Sequence, residues 1–122
     1  MRAALLCLAL AAPAAWGCGA CIEDKVAATY DYSVLERAQR EHRVVVFAEI
    51  RGDKAAPELE RAAAFAAKNA RGVDPTSVRS AHAPLAISFA LDERFEPEAV
   101  LSRIARNAKT PGLELAVVRV LR

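Results

Sequence analysis

Cysteine is scarce. The 122 residues hold three, Cys7, Cys18 and Cys21, and the first sits inside an apolar leader. Two remaining cysteines close at most one disulfide, which excludes a disulfide framework and leaves the fold to be held by packing. Histidine is scarcer still: His42 and His82 are the only two. They form no H-x-x-H pair, so a histidine-built metal motif is absent. Charge of one sign is also missing. Seventeen Lys and Arg face fifteen Asp and Glu, a net charge of +2. No basic tract is interleaved with aromatics, which argues against nucleic acid as a partner. Past the leader, no run is apolar enough to span a bilayer. There is no glycine-rich phosphate loop and no Gly-x-Ser-x-Gly around a serine, so the chain reads as a binding protein rather than an enzyme.

What is present begins with an address. Arg2 supplies a positive start, Ala3 to Ala12 is uncharged and apolar, and Pro13 breaks the run. Ala15-Trp16-Gly17 then puts small residues where a signal peptidase reads. This layout predicts a signal peptide over residues 1–17 and export to the bacterial periplasm. Cleavage after Gly17 would leave 122 − 17 = 105 residues beginning at Cys18. Cleavage after Ala14 is the neighbouring choice. A lipid anchor on Cys18 is the competing reading, against which Ala15 and Trp16 make a poor lipobox. About a hundred residues suffice for one core, so residues 18–122 are expected to form one compact domain.

Within it, residues 18–42 form a helical N-terminal segment and residues 43–122 an α+β core. Ile22, Val26, Ala27 and Tyr30 share a helical face. Ser33-Val34-Leu35-Glu36 reads as a capping box that starts a second helix, burying Val34, Leu35 and Ala38. Tyr30, Asp31 and Tyr32 read as a junction with half-buried tyrosines. Arg43 to Ile50 is a strand buried on both faces. The turn Arg51-Gly52-Asp53-Lys54 leads to a helix from Pro57 to Ala70, with Gly72 as its stop. Ser77 to Ala81 is a weak strand, and His82-Ala83-Pro84 lies in or near the connection that follows it. Leu85, Ile87, Phe89 and Leu91 alternate with small residues as a strong strand. Pro97 opens a helix burying Val100, Leu101 and Ile104, with Ala105 and Ala108 on the same face. Leu113 to Leu121 is the last strand, with Leu113, Leu115 and Val117 on one face and Ala116, Val118 and Val120 on the other. The order β-α-β-β-α-β, preceded by one or two N-terminal helices, predicts a ferredoxin-like antiparallel sheet with two helices on one face. The other face, or an edge strand, is left as a candidate partner surface.

Reactive chemistry is concentrated in Cys18-Gly19-Ala20-Cys21-Ile22-Glu23-Asp24-Lys25. Three chemistries suit a Cys-x-x-Cys pair: two thiolates on a soft metal, a dithiol–disulfide couple, or a structural disulfide. Glu23 and Asp24 oppose thiolate formation but would assist a cation, so metal binding ranks ahead of disulfide exchange. Two thiolates suit a low-coordinate ion such as Cu(I) or another thiophilic metal, and a free amine on Cys18 could join them. Tetrahedral zinc needs about four ligands and would require recruitment or dimerisation. His42 reads as a residue at a helix C-terminus, and His82 as a turn residue.

The β-α-β-β-α-β order together with Cys-x-x-Cys resembles the heavy-metal-associated domains of copper chaperones and metal pumps. That resemblance implies a thiophilic metal cargo and a metal-handling or thiol-handling partner protein. In that family the pair lies between the first strand and the first helix. Here that loop is Arg51-Gly52-Asp53-Lys54 and has no cysteine, so the pair at Cys18 and Cys21 is displaced to the front of the N-terminal helices. The expected site is therefore Cys18 and Cys21 as metal ligands or disulfide partners, with Glu23 and Asp24 as electrostatic support.

Overall fold

The computed structural model describes residues 18–122, with side chains from Ile22 onward. The leader, Cys7 and the cleavage site lie outside the described residues. Helices α1 (Cys18–Thr29) and α2 (Tyr32–Arg40) come first. Then follow β1 (Arg43–Arg51), α3 (Ala56–Lys68), β2 (Arg79–His82), β3 (Leu85–Asp92), α4 (Pro97–Asn107) and β4 (Glu114–Leu121). The four strands form one sheet in the order β2-β3-β1-β4, every neighbouring pair antiparallel. Helix α3 links β1 to β2 with β3 between them, and α4 links β3 to β4 with β1 between them. This is the ferredoxin-like arrangement, preceded by two helices.

Side-chain alternation sorts the sheet into two cores. Val44, Val46, Ala48 and Ile50 of β1 and Ile87, Phe89 and Leu91 of β3 pack against Leu59 and Ala63 of α3 and Val100, Leu101 and Ile104 of α4. On the opposite face, Val45, Phe47 and Ala90 pack against Val26 of α1 and Val34 and Ala38 of α2. That face, which the sequence left open to a partner, is thus covered by the chain's own N-terminal helices. The sequence of β3 permits this. Its residues toward α3 and α4 are large, whereas Ala86, Ser88 and Ala90 on the other side are small and let α1 lie close. Ser88 is buried and its hydroxyl donates to the Thr29 carbonyl at 3.1 Å.

Several local expectations are corrected. The cap of α2 is Asp31, not Ser33: the Asp31 carboxylate accepts from the Ser33 amide at 2.9 Å and from its hydroxyl at 2.6 Å. An ionised carboxylate outcompetes a hydroxyl for the same orphan donors. Leu35 is only partly buried. The inward stripe of α1 is the buried Val26 and Thr29 with the partly buried Ile22, while Ala27 and Tyr30 face outward. Tyr30 and Tyr32 are 47% and 68% exposed rather than half-buried at a junction. Helix α3 stops at Asn69, and Gly72 serves a turn beyond it. There its φ of +89° and the Phe95 ring 2.8 Å from where a Cβ would stand both require glycine. Strand β2 begins at Arg79, because Ser77 is committed elsewhere. Its buried hydroxyl donates to the Asp74 carbonyl at 2.6 Å and accepts from the Ala90 amide at 2.8 Å. His82 is the last residue of β2, and Ala83-Pro84 makes the turn to β3.

The last correction concerns β4. Its register against β1 shifts between Phe47 and Ala48, so that Arg119 and Val117 are paired and Val118 is the extra residue. The bulge resets the alternation. Val120 therefore packs with the α3–α4 core, while Val118 and Leu121 pack with the α1–α2 core.

Candidate functional site

Helix α1 carries the Cys-x-x-Cys sequence in its opening turn, since it begins at Cys18. What fixes its place is a series of polar ties that follows the spatial order of the sheet. Glu23 pairs with Arg119 of β4. Lys25 pairs with Glu49 of β1. The Thr29 carbonyl accepts from Ser88 of β3. Asp31, just past the helix, accepts from Nε of Arg79 of β2 at 3.1 Å. The helix therefore crosses all four strands, starting on the β4 side and ending on the β2 side.

Glu49 anchors the middle of this crossing. It is one of the few charged residues buried in the sheet, and both Lys25 and Arg51 engage its carboxylate. A carboxylate this deep needs such partners, because removing either leaves a charge without compensation. Val26 beside it adds roughly 1.5 kcal/mol or more of apolar burial. Helix α1 is thus held both by the apolar contacts of Ile22 and Val26 and by these polar ties.

Of the two carboxylates expected to support the cysteines, Glu23 is already engaged. The Arg119 guanidinium, by hydrogen bonding and by its charge, holds Glu23 below the usual carboxylate range and is itself raised. Asp24 is exposed, and three residues after Cys21 it falls on the same side of the helix. The two histidines are placed elsewhere. His42 follows the end of α2 with φ of 56°, the left-handed position that closes the helix. His82 lies on β2, at the sheet edge opposite β4, with Nδ1 2.8 Å from Glu60. Neither is brought to the start of α1. Among the described residues no three His, Cys, Asp or Glu side chains converge as a ready-made metal site.

Comparison of the chain with known protein families, with curated proteins and with solved structures finds no match. The site must be read from its own residues.

Beside α1 runs a groove of ≈ 400 Å³, lined by Glu23, Val26, Ala27, Tyr30, Arg119 and Leu121. The Glu23–Arg119 pair forms its polar end and Tyr30 its aromatic one. Sequence reasoning passed over Glu49 and Arg119 as parts of this region, and gave Lys25 no partner. One signal was there to be used: Glu49 is the only polar residue between Arg43 and Arg51, the two ends of the strand. An acid in the middle of a two-face-buried strand needs a cation from whatever packs on it.

Proposed function

We propose that this chain is a small exported, periplasmic protein that binds a soft metal ion through Cys18 and Cys21. The observation that carries the reading is the position of the pair in the opening turn of a helix tied across the whole sheet. The i, i+3 spacing lets two thiolates serve one cation, and a helix N-terminus favours the thiolate form. Two sulfur ligands fit a low-coordinate, thiophilic ion such as Cu(I) better than a tetrahedral one. Bound there, the cation would be held by sulfur alone, with Asp24 adding negative charge nearby. The expected partners are metal-handling or thiol-handling proteins, and residues 1–17 act as the export signal.

The same helix-start placement also suits a thiol–disulfide couple, which needs a stabilised thiolate. The two readings separate on a titration. A redox pair requires a thiol pKa well below the free value of about 8.5 and turnover of a disulfide substrate.

Cu(I) competition against a chromophoric chelator, under reducing and anaerobic conditions, tests the proposal. The wild-type protein should withdraw Cu(I) from the chelator, and Cys18→Ser/Cys21→Ser should withdraw none. Equal uptake by the double variant would sink the metal reading.

A further inference from the structure

The two faces of the sheet carry their charge differently. On the α1–α2 side Lys25, Arg37, Arg40, Arg79 and Arg119 each pair with a carboxylate. On the α3–α4 side, Arg61, Lys68 and Arg71 follow one another along α3 and just past it, and Arg103, Arg106 and Lys109 do so along α4. No acid lies between Arg61 and Arg71 or between Arg103 and Lys109. Among the described residues none of these six bases pairs with a carboxylate. The acids of this layer stand toward the helix starts, and two of them are engaged. Glu60 takes Ser80 and His82 of β2, and Glu96 caps α4. The helix macrodipole accounts for Lys68 and Arg106, which lie in last turns. It does not account for Arg61 and Arg103, in mid-helix.

Packing does not account for Phe65 either. Apart from Pro57, Leu59 and Phe65, every apolar residue of α3 is alanine. Leu59 is buried in the core, whereas Phe65, the largest apolar side chain of the helix, is 73% exposed. Arg61 stands one turn before it and Lys68 one turn after, both exposed and on the same stripe. Helix α4 lies against α3 on the same face of the sheet, so Arg103 and Arg106 belong to the same layer.

We infer that the outer face of α3 and α4 docks on a membrane surface of anionic phospholipid, with Phe65 entering the headgroup layer and Arg61, Lys68, Arg103 and Arg106 meeting lipid phosphates. Unpaired bases around a projecting ring suit such a surface: the bases supply the attraction and the ring a foothold. A fluid bilayer admits the ring wherever it lands. A protein partner would have to offer a pocket for Phe65 and a matched set of acids, and a single exposed aromatic is too small an apolar centre for a stable interface of that kind. Docking is therefore mainly electrostatic and reversible. The sheet stands between this face and α1, so a docked molecule would keep α1 on its aqueous side. The inference does not rest on the metal-binding reading.

Co-sedimentation of exported protein, whose intact mass carries no lipid, with vesicles tests this. Vesicles of phosphatidylglycerol and phosphatidylcholine in equal parts should bind it, and phosphatidylcholine alone should not. About 0.5 M salt should release it, since exposed charges are screened there. Each base near the surface is worth about fivefold in partitioning, so Lys68→Glu, which removes one and adds a repulsion, should weaken binding about 25-fold. Arg40→Glu, the same change of charge on the α2 side, should leave binding nearly unchanged. Phe65→Ser should weaken it about tenfold, and the emission of Phe65→Trp should shift to the blue on the mixed vesicles. No binding to the mixed vesicles would overturn the inference. Equal weakening by Lys68→Glu and Arg40→Glu would overturn it too, because net charge and not this face would then govern. So would an unshifted Phe65→Trp emission in bound protein. A dimer that Phe65→Ser dissolves, with no vesicle binding, would assign the face to a second copy and end the lipid reading.

Discussion

Asp31 shows how much one side chain can organise at a junction that the sequence presented as a pair of tyrosines. Its carboxylate caps α2 through Ser33 and reaches across to Arg79 on β2. The Ser33 hydroxyl and, after it, the Arg79 guanidinium hold its pKa down at about 2 against an ordinary value of 3.8. A depressed folded-state pKa means that the unfolded chain takes up the proton first as the pH falls. The stabilisation from Asp31 is therefore complete above about pH 4 and is lost as pH falls toward 2. Asp31→Asn keeps a capping side chain and removes the charge. Urea midpoints of wild type and Asp31→Asn should differ by a constant amount from pH 7 to pH 5. The gap should narrow below pH 4 and close near pH 2. A gap that persisted at pH 2 would mean that the contribution comes from cap geometry and not from charge.

The elements divide into those whose pattern is local and those whose pattern is set from outside. Strands β1 and β3 and helices α3 and α4 were legible because one periodicity runs through each: continuous apolar residues in β1, strict alternation in β3, and a helical stripe in α3 and α4. Strand β4 was legible as a strand but not in its faces, because the extra residue Val118 is defined only by the partner strand. Helix α1 was legible as a helix but not in its buried side. Thr29, not Tyr30, turns inward because the small face of β3 receives it there. Of the site, the cysteine pair was legible through scarcity alone. The Lys25–Glu49 and Glu23–Arg119 ties join residues 24 and 96 positions apart, which no local pattern reports. The seating of α1 gives a prediction at this scale. Ser88 is 2% exposed beneath it, and Ser88→Leu would both remove a hydrogen bond and overfill the contact. Overpacking of this kind costs about 1–3 kcal/mol. Amide exchange in α1 should accelerate strongly while α3, on the other face, stays protected. Equal loss in both helices would show that α1 is not a separately released element.

Across the whole molecule, the proposed chemistry and the stability reside in different parts of the chain. Among the described side chains, both core clusters are built from Ile22 onward. The ties that seat α1 begin at Glu23. Metal chemistry confined to the first four residues of α1 would leave both cores undisturbed when those residues change. Fully reduced wild type and Cys18→Ser/Cys21→Ser should have denaturant midpoints that agree to within about 0.5 kcal/mol, the range of substitutions away from packed features. Adding a saturating soft cation should then separate them, since a ligand stabilises the folded state only where it binds there more tightly than to the unfolded chain. Two cysteines three residues apart in sequence remain neighbours after unfolding, so a site built on them alone would retain much of its affinity in the unfolded state and raise the midpoint only slightly. A site that recruits further ligands placed by the fold exists only in the folded state. Cu(I) would then raise the midpoint substantially. Melts with and without Cu(I) therefore read whether the site belongs to the cysteine segment alone or to the folded domain.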